Sequence, residues 1–244
     1  MVKTWGYQAP PAEEKSMKIA IHQPEFLPYL GYFYKMTKVD GFVLMDSTQF
    51  KKNNFQNRNQ ICNSVGEKFW LTVPVSFHLG QNINEVKIAD DSSWKRKITD
   101  SLKYNYSKTL YFKHFYPALE DTILNASDSL NDLNISLIKE ICSFLGIGIP
   151  IFKLSELNLT TQKNELLIDI CKHIGANEYL AGLGAKEYMD LKMFADADIE
   201  VTWSLFQVKE YPQQCKNFVP YLSAVDALFN LGPIATKELL IDAE

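Results

Sequence analysis

The sequence predicts an α/β protein built on a mostly parallel, Rossmann-like three-layer sheet, with a β-hairpin and a helical segment inserted into it. Short apolar runs that end at polar turns occur near both ends of the chain and alternate with helix-forming segments. A pair of strand-like runs around a glycine turn and three segments of helical periodicity lie between them. The composition of the 244 residues, 46% hydrophobic and 22% charged, is typical of a globular domain.

The first half of the sheet is predicted from a strand–helix–strand order. Residues 18–22 (KIAIH) form a short apolar run that ends at a proline-containing turn, which indicates a buried strand. A helix is predicted over residues 31–39, entered through Pro28, and a second buried strand over residues 41–45 (GFVLM). This order is typical of the start of a parallel βαβ unit.

The inserted segment combines a hairpin with helices. Residues 60–63 and 69–75 flank a Val65-Gly66 turn, which predicts two antiparallel strands. An additional strand is predicted over residues 83–88. Helices are predicted over 93–104, 110–124 and 130–145, and Gly146 is a suitable residue to close the last one.

The alternation then resumes. We predict a strand over 149–154, a helix over 163–174 closed by Gly175, a short strand over 178–180 and a further strand over 199–206. The chain ends in helical segments, 223–231 and 234–241, separated by a break at Gly232-Pro233.

Composition also limits the class of protein. Residues 1–16 are polar and contain two adjacent prolines, so we expect a flexible leader followed by a single domain over residues 17–244. The lack of a long apolar run or a signal-peptide layout predicts a cytoplasmic protein without a membrane span. A net charge of -4 does not favour an extensive nucleic-acid surface. The spacing of the cysteines and histidines predicts no metal site.

Three polar clusters follow predicted strands, and the first surrounds His22. A histidine at the carboxyl end of a strand is well placed to contact an anion or to transfer a proton, although it could equally bind a loop carbonyl. Gln23 follows it, and Tyr29 lies at the start of the next helix. The spacing is similar to the strand-to-helix turn of nucleotidylyltransferases, but both histidines of that motif are missing here.

The second cluster, residues 46–59 (DSTQFKKNNFQNRN), is rich in amides and charges. Amides and a fixed guanidinium suit a ligand with many hydroxyls and a phosphate, such as a nucleotide-linked sugar. A solvated loop is the alternative, but Phe50 and Phe55 indicate that the segment packs against the protein. Its candidate site residues are Asp46, Gln49, Lys51, Gln56, Asn57 and Arg58.

The third cluster, residues 179–188, contains Gly182, Gly184 and Tyr188. Two glycines between a strand and a helix permit close approach of a phosphate, while a tight turn without a ligand is the alternative. Ligands bind open parallel sheets at the carboxyl ends of the strands. We therefore expect the three clusters to share one cleft.

The order of these motifs resembles the WbqC-like family. The resemblance rests on IHQPEFLPYLGYFYKM (residues 21–36), DSTQFKKNNFQNRNQI (46–61), WLTVPV (70–75), INEVKI (83–88), ELLIDICKHIGANEYLAGLGAKEYMD (165–190) and FVPYLSAVDALFNLGP (218–233). It implies a role in bacterial O-antigen or other surface polysaccharide biosynthesis, with glycine transfer as the suggested activity. On this basis we assign candidate catalytic roles to His22, Asp46, Lys51 and Arg58, and substrate binding to Gln23, Tyr29, Gln49, Gln56, Asn57, Gly182, Gly184 and Tyr188.

The implied partners are a nucleotide-linked amino sugar and an activated glycine donor. ATP with free glycine, a glycyl-tRNA and a carrier-bound glycyl thioester are all open as donors, so ATP is a candidate cofactor. Two rival functions remain. The chain could be a non-catalytic nucleotide-sugar-binding protein of the polysaccharide assembly machinery, or an ATP-dependent adenylating ligase. The sequence does not specify an oligomeric state.

Overall fold

The computed structural model describes residues 16–91 and 93–241, so nearly all of the predicted leader lies outside the described residues. In chain order the elements are β1 (Lys18–His22), α1 (Leu30–Thr37), β2 (Gly41–Leu44), β3 (Arg58–Cys62), β4 (Lys68–Thr72), β5 (Val75–Ser76), β6 (Lys87–Ile88), α2 (Ser93–Tyr106), α3 (Phe112–Leu124), α4 (Leu130–Leu145), β7 (Ile151–Lys153), α5 (Lys163–Ile174), β8 (Glu178–Gly182), α6 (Leu191–Ala195), β9 (Glu200–Ser204) and α7 (Ala224–Ile241).

A five-stranded parallel sheet organises these elements. Its strand order is β7-β2-β1-β8-β9, and every neighbouring pair is parallel. Side chains that alternate along the central strand enter two different cores. Ala20 packs in the core that includes α1, α4 and α7, whereas Ile19 and Ile21 pack in the core that includes α5 and α6. Helices therefore cover both faces, which confirms the predicted α/β, Rossmann-like three-layer class.

Helix α1 is buried along almost its whole length. Residues 30–36 are all buried, because the helix lies against the sheet on one side and contacts α7 on the other. Lys35 is the only charged residue of α1, and only 4% of it is exposed. A charged side chain is rarely buried to this extent without a partner. The burial of Lys35 therefore indicates a specific role for its charge, which the apolar pattern of the helix does not reveal.

The inserted segment contains the predicted hairpin, but one strand predicted in it is a different element in the structure. Strands β3 and β4 are antiparallel, and Gly66 adopts a φ of +87° in their turn. The single strand predicted over 83–88 is wrong. Ile83–Glu85 is a 3-10 helix, because Asn82 and Glu85 form a capping box, and only Lys87–Ile88 continues as a strand, paired with β5.

The predicted helices are present with small differences in their ends. Gly146 and Gly175 close α4 and α5 in the left-handed conformation, as expected. The break predicted at Gly232 is a kink inside α7, where this residue adopts a φ of +78° and a ψ of 178°. Strand β8 extends to Gly182 and leads into a 3-10 helix, Leu183–Glu187. Within the described parts of the chain, no helix has the length and apolar character to cross a membrane.

Candidate functional site

A cleft of about 850 Å³ opens at the carboxyl ends of β1 and β2 and at the amino end of α5. This is the position at which open parallel sheets bind ligands, and the volume is within the range of small-molecule sites. Apolar side chains, including Leu154, Leu166 and Leu167, form part of its wall. The polar part of the lining consists of His22, Gln23, Ser47, Thr48, Gln49, Asn82, Thr160, Thr161, Gln162, Lys163 and Tyr188, with a further phenol from Tyr179.

The cleft brings together candidate site residues from all three predicted clusters. His22 and Gln23 come from the first cluster, Gln49 from the second and Tyr188 from the third. Gln49 and Asn82 form an isolated antiparallel β-bridge. Asn82 was not among the predicted site residues, and through it the inserted segment supplies part of the cleft wall. The predicted convergence is thus observed for these four residues, while the other candidates occupy different positions.

His22 supplies the imidazole of the cleft, and its contacts show which ring nitrogen carries the hydrogen. Its Nδ1 lies 3.1 Å from the carbonyl oxygen of Gln23, and a carbonyl only accepts hydrogen bonds, so Nδ1 carries the hydrogen. Nε2 makes no hydrogen bond with the residues that the structure describes. Burial and the positive charge of Lys35 lower the pKa of His22 to about 3. The ring is therefore neutral at physiological pH and offers a lone pair at Nε2.

Gln23 is held in place by two neighbours. Its side-chain nitrogen donates to Thr48 Oγ1 at 3.0 Å, and its oxygen accepts from Gln56 Nε2 at 2.7 Å. The oxygen of Gln56 in turn accepts from the backbone N–H of Lys51 at 2.8 Å. Gln56 is 1% exposed, so it supports Gln23 from behind and has no free surface facing the cleft.

Asp46 lies outside the lining of the cleft, in a fully satisfied buried position. One carboxylate oxygen accepts from the backbone N–H of Ser155 at 2.9 Å, and the other accepts from Ser155 Oγ at 2.7 Å and from Asn131 Nδ2 at 3.3 Å. These bonds join the end of β2 to α4 and to the segment after β7. The arrangement is that of a structural brace.

Three further candidates from the second cluster, Arg58, Lys51 and Asn57, lie away from the cleft. The guanidinium of Arg58 stacks on the ring of Trp70 at 4.1 Å, on the exposed side of the β3–β4 hairpin. Lys51 is exposed, while Asn57 is buried and donates to the carbonyl of Val73 at 3.0 Å. None of the three lines the cleft.

Three further candidates also lie outside the lining. Tyr29 precedes α1, covers Gly31 with its ring and contacts Phe206 edge-on. Gly182 and Gly184 have ordinary negative φ angles, and a Cβ at either position would meet open space. Neither glycine is therefore required by its backbone conformation or by local crowding.

The start of α5 forms the opposite rim of the cleft. Lys163 opens this helix with a φ of +55°, and Thr161 Oγ1 donates to Asp169 at 2.7 Å, which orders the approach to the helix. Asn164 donates to the carbonyl of Tyr188 at 3.2 Å and so joins the rim to the third cluster. A lysine and a helix amino terminus make this rim the more positive side of the cleft.

Sequence analysis missed two ionisable residues behind His22. Glu25 lies in the loop after β1, with Oε1 3.7 Å from His22 Nδ1 and with Oε2 buried without a hydrogen-bond partner among the described residues. Burial raises the pKa of Glu25 to about 7, although the charge of Lys35 opposes this, and burial lowers the pKa of Lys35 to about 8. Lys35 could have been recognised from the sequence as the single charged residue in the apolar run LGYFYKM. No sequence pattern distinguishes Glu25 in the same way.

No group of three or more histidine, cysteine, aspartate or glutamate side chains that could hold a metal ion occurs in residues 16–91 and 93–241.

Comparison with known proteins gives two matches. The model of the WbqC-like protein family matches residues 23–238. A curated relative, the uncharacterised protein Rv1507c of Mycobacterium tuberculosis (strain ATCC 25618 / H37Rv), is 35% identical over 228 residues, which are 91% of this chain and 97% of the relative. No solved structure matches the chain.

Proposed function

Because this chain belongs to the WbqC-like protein family, we propose that it is an aminoacyl transferase of bacterial surface polysaccharide biosynthesis. In this proposal it transfers a glycyl group, in the cytoplasm, to the amino group of a nucleotide-linked amino sugar that enters O-antigen or a related polymer. The observation that carries the proposal is the neutral His22 in a polar cleft at the carboxyl ends of the parallel strands, with an Nε2 that accepts no hydrogen bond from a described residue.

The chemistry requires an acceptor amine without its proton. In the proposed step the sugar amine binds in its neutral form, having released its ammonium proton to water. Its nitrogen attacks the carbonyl carbon of the glycyl donor, and Nε2 of His22 takes one of the two remaining protons from that nitrogen. The new C–N bond forms as the bond from carbon to the leaving group breaks, and the leaving group departs with that electron pair. Proton return from Nε2 to the leaving group restores the neutral imidazole.

The rest of the cleft suits the acceptor. Gln23, Gln49 and Asn82 supply amide donors and acceptors for sugar hydroxyls, and the Tyr188 ring offers a surface against which a sugar or base can pack. Lys163 and the amino end of α5 provide positive potential for the diphosphate. In this assignment Asp46 and Gln56 support the cleft from behind, and Arg58 does not contact the diphosphate.

The proposal is tested by mass spectrometry of the purified protein after incubation with UDP- and dTDP-linked amino sugars. Each sugar is offered with glycine and ATP, with a glycyl-tRNA and with a glycyl thioester. A glycyl mass increment on one sugar, dependent on one donor, is the expected result. No increment from any combination, together with calorimetric binding of a nucleotide sugar, would establish the binding-protein alternative instead.

The ligase alternative predicts a different product. An adenylating enzyme would release pyrophosphate when supplied with ATP and glycine, even before an acceptor is added. Glycyl transfer from a pre-activated donor without pyrophosphate release is the outcome expected if the chain is a transferase only.

A further inference from the structure

Glu25 and Lys35 are two buried ionisable residues near His22, and the charge of each influences the other. Glu25 is 8% exposed and Lys35 is 4% exposed, and they come from different elements, the loop after β1 and helix α1. Carboxylates and ammonium groups are costly to bury, so two such residues usually have a structural or chemical role. Here the carboxyl faces the one imidazole of the cleft, which favours a chemical role.

The two nitrogens of the His22 ring have different surroundings. Nδ1 donates to the Gln23 carbonyl and lies 3.7 Å from Glu25 Oε1, which is just beyond hydrogen-bond length. The ring also makes an edge contact with Tyr32 at a centroid distance of 4.9 Å. On its Nδ1 side the ring therefore faces the Gln23 carbonyl and the Glu25 carboxyl.

The second carboxyl oxygen has no assigned partner. Oε2 of Glu25 is buried and makes no hydrogen bond with a described residue, which is uncommon for a native buried oxygen. The other ionisable groups that influence Glu25 or are influenced by it are Lys35, Tyr29 and Tyr32, all within or next to α1. Lys35 is the only cation among them, so it sets how readily the Glu25 carboxyl ionises.

We propose that Glu25 is a positioning residue for His22, and that its carboxylate stabilises the imidazolium that forms when Nε2 accepts a proton. The proton on Nδ1 stays on Nδ1 and the proton from the acceptor amine resides on Nε2, so the ring carries one positive charge that faces one carboxylate. Glu25 makes no contact with the substrate in this role. The inference deepens the proposed function and rests on it for its catalytic meaning.

The test uses the free full-length protein and no substrate. The imidazole signals of His22 are followed by NMR from pH 5 to pH 9 in protein labelled at histidine, and the His22→Asn variant assigns them by the signal that it removes. Because burial raises the pKa of Glu25 to about 7, we expect the neutral His22 ring to report a titration step near pH 7 as the carboxylate forms and draws the Nδ1 hydrogen.

Two variants and a control identify the titrating group. Glu25→Gln keeps the shape of the side chain and should abolish the step. Lys35→Met removes the cation and should move the step upward by about one pH unit, since Lys35 lowers the pKa of Glu25. Glu200→Gln, at the exposed amino end of β9, should leave it unchanged. A step near pH 7 that survives in Glu25→Gln, or the lack of a step near pH 7 in the natural protein, would overturn the proposal.

This result is independent of the reaction test. A confirmed step without glycyl transfer would retain the Glu25–His22 coupling and remove the transferase. If transfer is confirmed, Glu25→Gln should lower kcat about tenfold to a hundredfold with little change in KM, and should remove a kinetic transition near pH 7 from the kcat profile. An unchanged kcat profile would overturn the positioning role.

Discussion

At the scale of single residues, the cleft depends on which polar side chains are free and which are already bonded. Within the part of the chain that the structure describes, Nε2 of His22 has no hydrogen-bond partner, whereas the carboxylate of Asp46 already accepts three hydrogen bonds. A sequence shows that both residues follow buried strands, but not how their hydrogen bonds are distributed. The family resemblance predicts a catalytic role for Asp46, and only the contacts with Ser155 and Asn131 reveal its bracing role.

Replacement of Asp46 by alanine should therefore affect stability. The change leaves the buried donors of Ser155 and Asn131 without their acceptor, and we expect a loss of about 3 kcal/mol in the free energy of unfolding. Urea unfolding followed by circular dichroism measures this. A loss below about 0.5 kcal/mol would show that the three bonds do not brace the fold.

Glu25 gives a prediction on the dependence of stability on pH. Its pKa in the folded protein, about 7, lies above the ordinary 4.5, so the folded state holds the proton more tightly than the unfolded state. The contribution is fully present below pH 4.5 and is lost as pH rises through 7. Glu25→Gln should remove this loss, so the variant should gain about 2 kcal/mol relative to the natural protein between pH 5 and pH 8. A constant difference across that range contradicts the buried carboxyl.

At the scale of elements, glycines separate into those that the backbone requires and those that it does not. Gly232 adopts a φ of +78° at the kink of α7, and a Cβ there would lie 2.6 Å from the Tyr111 ring. Gly182 and Gly184 have neither constraint. Sequence analysis associated the second pair with phosphate binding, because their place between a strand and a helix is typical of such turns, and this role stays a prediction.

The contrast can be measured with alanine variants. We expect Gly232→Ala to lower the melting temperature clearly, at a cost of about 2 kcal/mol or more, because it adds both backbone strain and a clash. Gly182→Ala should fold with a change below about 1 kcal/mol. If Gly182→Ala folds normally but loses ligand affinity, the phosphate-binding prediction for this turn gains support; retention of affinity removes it.

At the scale of the whole molecule, the parallel sheet could be predicted because each strand is a local apolar run and the order of elements restricts the topology. The ends of α4 and α5 followed from the glycine signals Gly146 and Gly175. The candidate site was only partly predictable, since its lining comes from separate segments that meet only in the fold. Arg58 illustrates the limit: the register of the hairpin places it beside Trp70 and away from the cleft.

Glu25 and Lys35 were not predicted from the sequence for a similar reason: their roles depend on contacts between segments that are separate in the chain. Nothing in a loop sequence shows that one carboxyl will face a histidine at 3.7 Å while a lysine from the next helix is buried near it. The predicted sheet was enough to locate the cleft. The charged groups near it depend on how α1 packs against α7 and the sheet, which the sequence does not show.

The central claim is that the cleft around His22 is the site of glycyl transfer, and a comparison of two variants tests it most directly. With the acceptor and donor identified by mass spectrometry, initial rates are measured for His22→Ala and for the matched control Arg58→Ala, both first shown to be folded by circular dichroism. We expect His22→Ala to lose at least about 100-fold in kcat, as removal of a general base does, while Arg58→Ala stays within about threefold. Full activity of His22→Ala, with loss of activity in Arg58→Ala, would move the reaction to the hairpin face and contradict the assignment.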